Sequence, residues 1–153
     1  MKQNEIVASI RKELKKQVDI KYRDGERRLF KEPIKNIGVR LPNRRKVAQK
    51  LWPQAEILTK IQLFKVCEEL LGGLSEEVTI GLDWLWRSRN KLEAKDFKLF
   101  EKWVNLYLDN WAKIDDFSTH ALGYLINRFP QLASEVFSWT KSKNRWVKRA
   151  AAV

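Results

Sequence analysis

The sequence predicts an all-α protein built from antiparallel helix pairs stacked side by side, and three observations predict it. Apolar residues recur at steps of three and four along nearly the whole chain. No stretch alternates with the period of two that a half-buried strand requires. The 153 residues include only six glycines and four prolines, with 44% hydrophobic and 33% charged residues, a composition that suits packed helices. The length falls in the range of one folding unit, so residues 1–153 are expected to form a single helical-repeat domain.

The opening MKQNEIVASIRKEL reads as an amphipathic helix, with Ile6, Ile10 and Leu14 on its apolar face, and not as a signal peptide. Residues 19–36 are polar and irregular, punctuated by Gly25 and Pro33, with a short helix expected around Glu26 to Lys31. In IGVRLPNRRKVAQKLW, Pro42 stands where a first helical turn tolerates it, and a basic helix is expected to run to Trp52 before Pro53 stops it. Ile57, Ile61, Phe64, Cys67, Leu71 and Leu74 make the next stripe, which Gly72 and Gly73 end. Ser75 with Glu77 opens a helix that buries Val78, Leu82 and Leu85. Phe97, Phe100, Val104, Tyr107 and Trp111 continue the pattern, followed by Ile114, Phe117, Ala121 and Leu125. Pro130 opens a short helix through Val136 to Trp139, and a last one starts near Asn144. Because RWVKRAAAV stops inside a helix-forming run, the chain is read as the N-terminal part of a longer domain, truncated at its C-terminus. No strict sequence period is visible, so the repeat is structural, as in HEAT-type α-solenoids, although a closed helical bundle fits the same periodicity.

A net charge of +12 points to a polyanionic partner. Lysine and arginine outnumber aspartate and glutamate 16 to 6 in residues 1–50 and 5 to 0 in residues 136–153, whereas residues 51–135 carry 10 against 13. One cysteine, Cys67, and one histidine, His120, cannot assemble a disulfide or a Cys/His zinc site. Cys67 falls on an apolar stripe and is expected to be buried and inert. No apolar run approaches the length of a membrane span, and the expected location is cytoplasmic.

Two segments carry candidate chemistry. In DNWAKIDDFSTHALGYLINRFP, Trp111 and Asp115 are four apart and share a helix face. An indole beside a carboxylate suits a flat cationic ring system and the positive charge that develops next to it. Asp116, the neighbouring acid, is the alternative to Asp115. In WTKSKNRWVKRAAAV, Lys141, Lys143, Arg145 and Lys148 have the character of phosphate contacts, Trp139 and Trp146 that of core anchors, and Arg149 rises from a face of small residues.

Trp111 and Asp115 as W-x-x-x-D, Trp146 and Arg149 as W-x-x-R, and Gly38, Pro42 and Arg45 as G-x-x-x-P-x-x-R together resemble the AlkD-like DNA alkylation repair glycosylases, a family of HEAT-like repeats. The resemblance covers the chain from about Tyr22 onward. It implies a glycosylase that removes positively charged N3- and N7-alkylated purines, with Asp115, Trp111 and Arg149 as the catalytic set and Arg44 and Arg45 joining the basic residues on nucleic acid. The implied partner is double-stranded DNA containing alkylated bases, held by a monomer with no cofactor, no metal and no membrane. A non-catalytic DNA-binding module or a protein scaffold is the alternative.

Overall fold

This computed structural model describes residues 2–153; Met1, the first residue of the expected N-terminal helix, lies outside them. Among the described residues there are helices and turns and no strand, and the chain is all-α, of the helical-repeat class. It divides into two compact units, Met1–Leu85 and Trp86–Val153.

The first unit contains α1 (Gln3–Lys15), α2 (Ile20–Arg27), α3 (Leu41–Glu56), α4 (Lys60–Leu71) and most of α5 (Ser75–Arg87). Helix α1 lies on α3 and α4 and buries Ile6, Val7, Ile10 and Leu14, the spacing that makes one stripe on a 3.6-residue period. Leu63, Cys67 and Leu70 of α4 and Trp84 of α5 complete this core, and the Trp84 indole donates to the Ala48 carbonyl at 2.9 Å.

Several boundaries differ from the sequence expectation. Helix α2 overlaps the expected Glu26–Lys31 helix only at Glu26 and Arg27; it starts at Ile20 because Asp19 caps it, its carboxylate accepting from the Tyr22 amide. Pro42 does sit in the first turn of α3, but Pro53 lies within that helix and does not end it. A proline there forgoes one intrahelical hydrogen bond; the fully buried Ala55 anchors the turn that follows. Ile57 and Ile61 are exposed, not part of the core stripe, because the chain turns between Ile57 and Thr59 and α4 starts afresh behind a Thr59 cap. The periodicity ran across two elements whose phases are unrelated.

The second unit contains α6 (Phe97–Leu106), α7 (Trp111–Phe117), a widened π turn (Ser118–Leu122), α8 (Gly123–Arg128), α9 (Ala133–Ser138) and α10 (Arg145–Ala152), with a 3-10 turn between α8 and α9 and another between α9 and α10. Its core is aromatic: Phe100 stacks on Trp103, Phe117 meets Phe100 edge-on, and Phe97 stacks on Trp139. The Trp139 indole also donates to Glu101 at 2.9 Å, which ties the approach to α10 onto α6. Trp111 does not continue the α6 stripe. Helix α6 ends at Leu106, and Asn110 caps a new helix, so the phase resets and Trp111 emerges 42% exposed.

Candidate active site

The site in the second unit is built on the start of α7 and the end of α10. Asn110 is buried, and its side-chain oxygen accepts from the Lys113 amide at 3.0 Å, which fixes where α7 begins. Trp111 is therefore the first helical residue, and Asp115 follows one turn later on the same side. Helix α10 starts behind its own cap, Asn144, whose oxygen accepts from the Trp146 amide at 2.9 Å. Val147 and Ala150 turn into the core, which leaves Lys148 and Arg149 on the outer side.

Helix α10 packs on α7, and the two outer faces meet in one interaction. Arg149 donates from Nε to Asp115 Oδ1 at 2.7 Å and from Nη2 to Asp115 Oδ2 at 2.8 Å. This parallel two-bond geometry orients both groups. The guanidinium holds the Asp115 carboxyl below its ordinary range, against a weaker opposing effect of burial, and Asp115 in turn raises Arg149. The acid is therefore ionised at neutral pH. Asp116 has a different role: one of its oxygens lies 3.1 Å from His120 Nδ1, which also contacts the Asp116 carbonyl at 2.9 Å.

On α10 and the segment leading into it, Lys141, Lys143, Arg145 and Lys148 are all exposed, with Arg145 laid over its neighbour Trp146 at 4.4 Å. Trp139 is a core anchor; Trp146 is only partly covered. In the first unit, Arg45 is exposed on α3.

Arg44 is a correction to the sequence expectation: it is buried and cannot reach a phosphate. Its guanidinium donates to the Val39 carbonyl at 2.7 Å, to Glu26 at 2.6 Å and to Thr79 at 3.3 Å, and lies 3.5 Å from Glu76. Glu76, wholly buried, accepts from three successive amides, those of Ile37, Gly38 and Val39. Gly38 has a φ of +94°, and a Cβ there would stand 2.3 Å from the Asp19 carbonyl oxygen. Gly38 and Arg44 around this bend thus build structure, whereas Pro42 and Arg45 are exposed.

Cys67 is buried and its thiol is pushed up to about 12 by desolvation, so it stays protonated and is no nucleophile. Sequence reasoning passed over Asn110, whose signal was an Asn directly before Trp111 in a run otherwise read as continuous. It also passed over Arg89, which stands three residues after Trp86 in the same W-x-x-R spacing as Trp146 and Arg149.

Comparison with known proteins gives one family: the model described as DNA alkylation repair enzyme matches residues 10–153. No curated protein matches the chain.

Proposed function

The chain belongs to the DNA alkylation repair enzyme family, and from that premise we propose that it removes positively charged N3- and N7-alkylated purines from duplex DNA. The observation that carries this reading is the two-bond Asp115–Arg149 pair with an exposed indole, Trp111, one turn ahead of the acid.

An alkylated purine already bears positive charge, so the bond from the sugar C1′ to the base nitrogen can break with both electrons going to the base, which leaves neutral without a general acid. The charge then resides on the sugar as an oxocarbenium ion. Asp115, fixed by Arg149, faces that charge and favours it electrostatically. A water adds at C1′ and loses its proton, to Asp115 or to solvent, which completes an abasic sugar and a free base. The Trp111 ring offers its electron-rich face to the cationic base. Exposed Lys141, Lys143, Arg145 and Lys148, together with Arg45, supply phosphate contacts.

Release of free 7-methylguanine from methylated duplex is the test. The wild-type chain should release it, and Asp115→Asn should lower the rate by about 10²- to 10³-fold, the loss typical when one transition-state charge partner is removed. Asp116→Asn should leave the rate near wild type, since that acid is engaged with His120. Absence of any base release by the wild type defeats the reading. A second reading, a DNA-binding module without turnover, draws on the fact that both Asp115 oxygens already accept from Arg149; it requires duplex binding with no release by any variant.

A further inference from the structure

Trp86, Arg89, His120, Tyr124 and Arg128 gather into one aromatic and cationic cluster in the second unit, apart from the Asp115–Arg149 pair. The Arg89 guanidinium lies over the Trp86 ring at 4.2 Å and 6.0 Å from the centre of the Tyr124 ring. The Tyr124 ring stands perpendicular to the indole, at 89° with centres 6.1 Å apart, and His120 adds a second edge at 5.3 Å. Arg128 reaches the Tyr124 hydroxyl at 3.4 Å.

The state of Arg89 is what sets the cluster apart. One of its terminal nitrogens donates to the Trp86 carbonyl at 3.0 Å, and stacking fixes the plane of the fork. Neither Arg89 nor Arg128 meets a carboxylate among the described residues; the nearby Asp116 is turned to His120. A guanidinium has five donors, and one of those on Arg89 is engaged among the described residues. Such a group is oriented before any ligand arrives and keeps donors for an anion, and its planar fork matches phosphate oxygens. Ordering a free arginine costs side-chain entropy, and here the two rings have already exacted that cost.

We infer that this cluster is a seat for a phosphodiester of the DNA strand, with Arg89 as the phosphate-binding group and Trp86 and Tyr124 as the aromatic walls that orient it. The inference rests on the reading of the chain as a DNA-repair enzyme and names a further contact to that substrate. Arg128, which donates to the Tyr124 hydroxyl at 3.4 Å, adds one further positive charge.

Binding of a fluorescein-labelled, undamaged duplex, followed by anisotropy across a salt series, tests it. Arg89→Ala should weaken binding about threefold to tenfold and lower the slope of log affinity against log salt by about one, as expected for one lost phosphate contact. Arg89→Lys keeps the charge without the stacked fork and should recover only part of the loss. Trp86→Leu leaves Arg89 in place but frees it, and should weaken binding in the same direction. Lys98→Ala, which removes one exposed charge elsewhere in the unit, should change affinity by less than about twofold. Wild-type affinity and slope in Arg89→Ala overturn the inference, as does an equal loss in Lys98→Ala, which would reduce the effect to net charge. Either result can stand beside full base release by the wild type, so the failure of this seat is distinguishable from failure of the glycosylase reading, which shows as no base release at all.

Discussion

Arg44 in the first unit and Arg149 in the second each reach a carboxylate through a short charge-assisted bond, 2.6 Å to Glu26 and 2.7 Å to Asp115, yet their side chains are 7% and 43% exposed. Burial separates their roles. Arg44 has four protein partners within reach and almost none of its surface is open to solvent; it neutralises two acids that the fold has taken out of water. Removing one member of such a set leaves charge stranded, which costs far more than the set contributes in net terms. Arg149 has one partner, in contact with solvent, where water and salt screen the attraction. The second arrangement adds little to stability, but it is open to substrate, and the Asp115 carboxylate it orients keeps its charge.

The largest effect expected from this contrast is that of Arg44→Ala, which strands Glu26 and Glu76 and should lower unfolding free energy by about 3–5 kcal/mol. Urea titration measures it; a loss below about 1 kcal/mol would erase the distinction between the two pairs. Gly38→Ala comes next. It forces a side chain into positive φ and against the Asp19 carbonyl, beside an amide that Glu76 holds at 2.9 Å. A cost of about 2–3 kcal/mol, read as a lower melting temperature, is expected. Arg149→Ala should leave the urea unfolding midpoint close to that of the wild type, because water and salt screen the exposed pair, while base release falls because Asp115 loses its orienting partner. An Arg149 variant that unfolds like Arg44→Ala would show the exposed pair to be structural after all.

The smallest expected effect is that of acid. The Arg149 hydrogen bonds depress the Asp115 carboxyl below its unfolded value, so the pair's contribution is fully present above the unfolded pKa of about 4 and is lost as pH falls through the lower folded value. Base release should therefore hold level from neutral pH down to about pH 5 as far as Asp115 is concerned. A limb in the rate profile near pH 6 that disappears in Asp115→Asn would contradict that assignment.

The all-α class and most of the core were legible in the sequence because burial on a helix leaves a local trace: Ile6, Ile10 and Leu14, or Phe97, Phe100 and Val104, announce their shared face by spacing alone. The same signal misled where a turn reset the phase, as at Ile57 and Ile61, and at Trp111 behind its Asn110 cap. Arg44 was not legible for a different reason. Its partners are Glu26 and Glu76, 18 and 32 positions away, and nothing near it in the chain distinguishes it from the exposed Arg45 beside it. Within the candidate site, the helical spacing placed Trp111 and Asp115 on one side of α7, but the bond from Asp115 to Arg149 joins residues 34 apart and emerges only from the packing of α7 on α10.

The widened turn at Ser118–Leu122 leads into Gly123, whose amide reaches back to the Ser118 carbonyl, and a methyl on Gly123 would stand 3.0 Å from that oxygen. An i→i+5 turn of this kind is uncommon and interrupts the regular i→i+4 ladder between α7 and α8. Gly123→Ala would press its methyl against the Ser118 carbonyl, so the widened turn would have to give by a few tenths of an ångström to admit it.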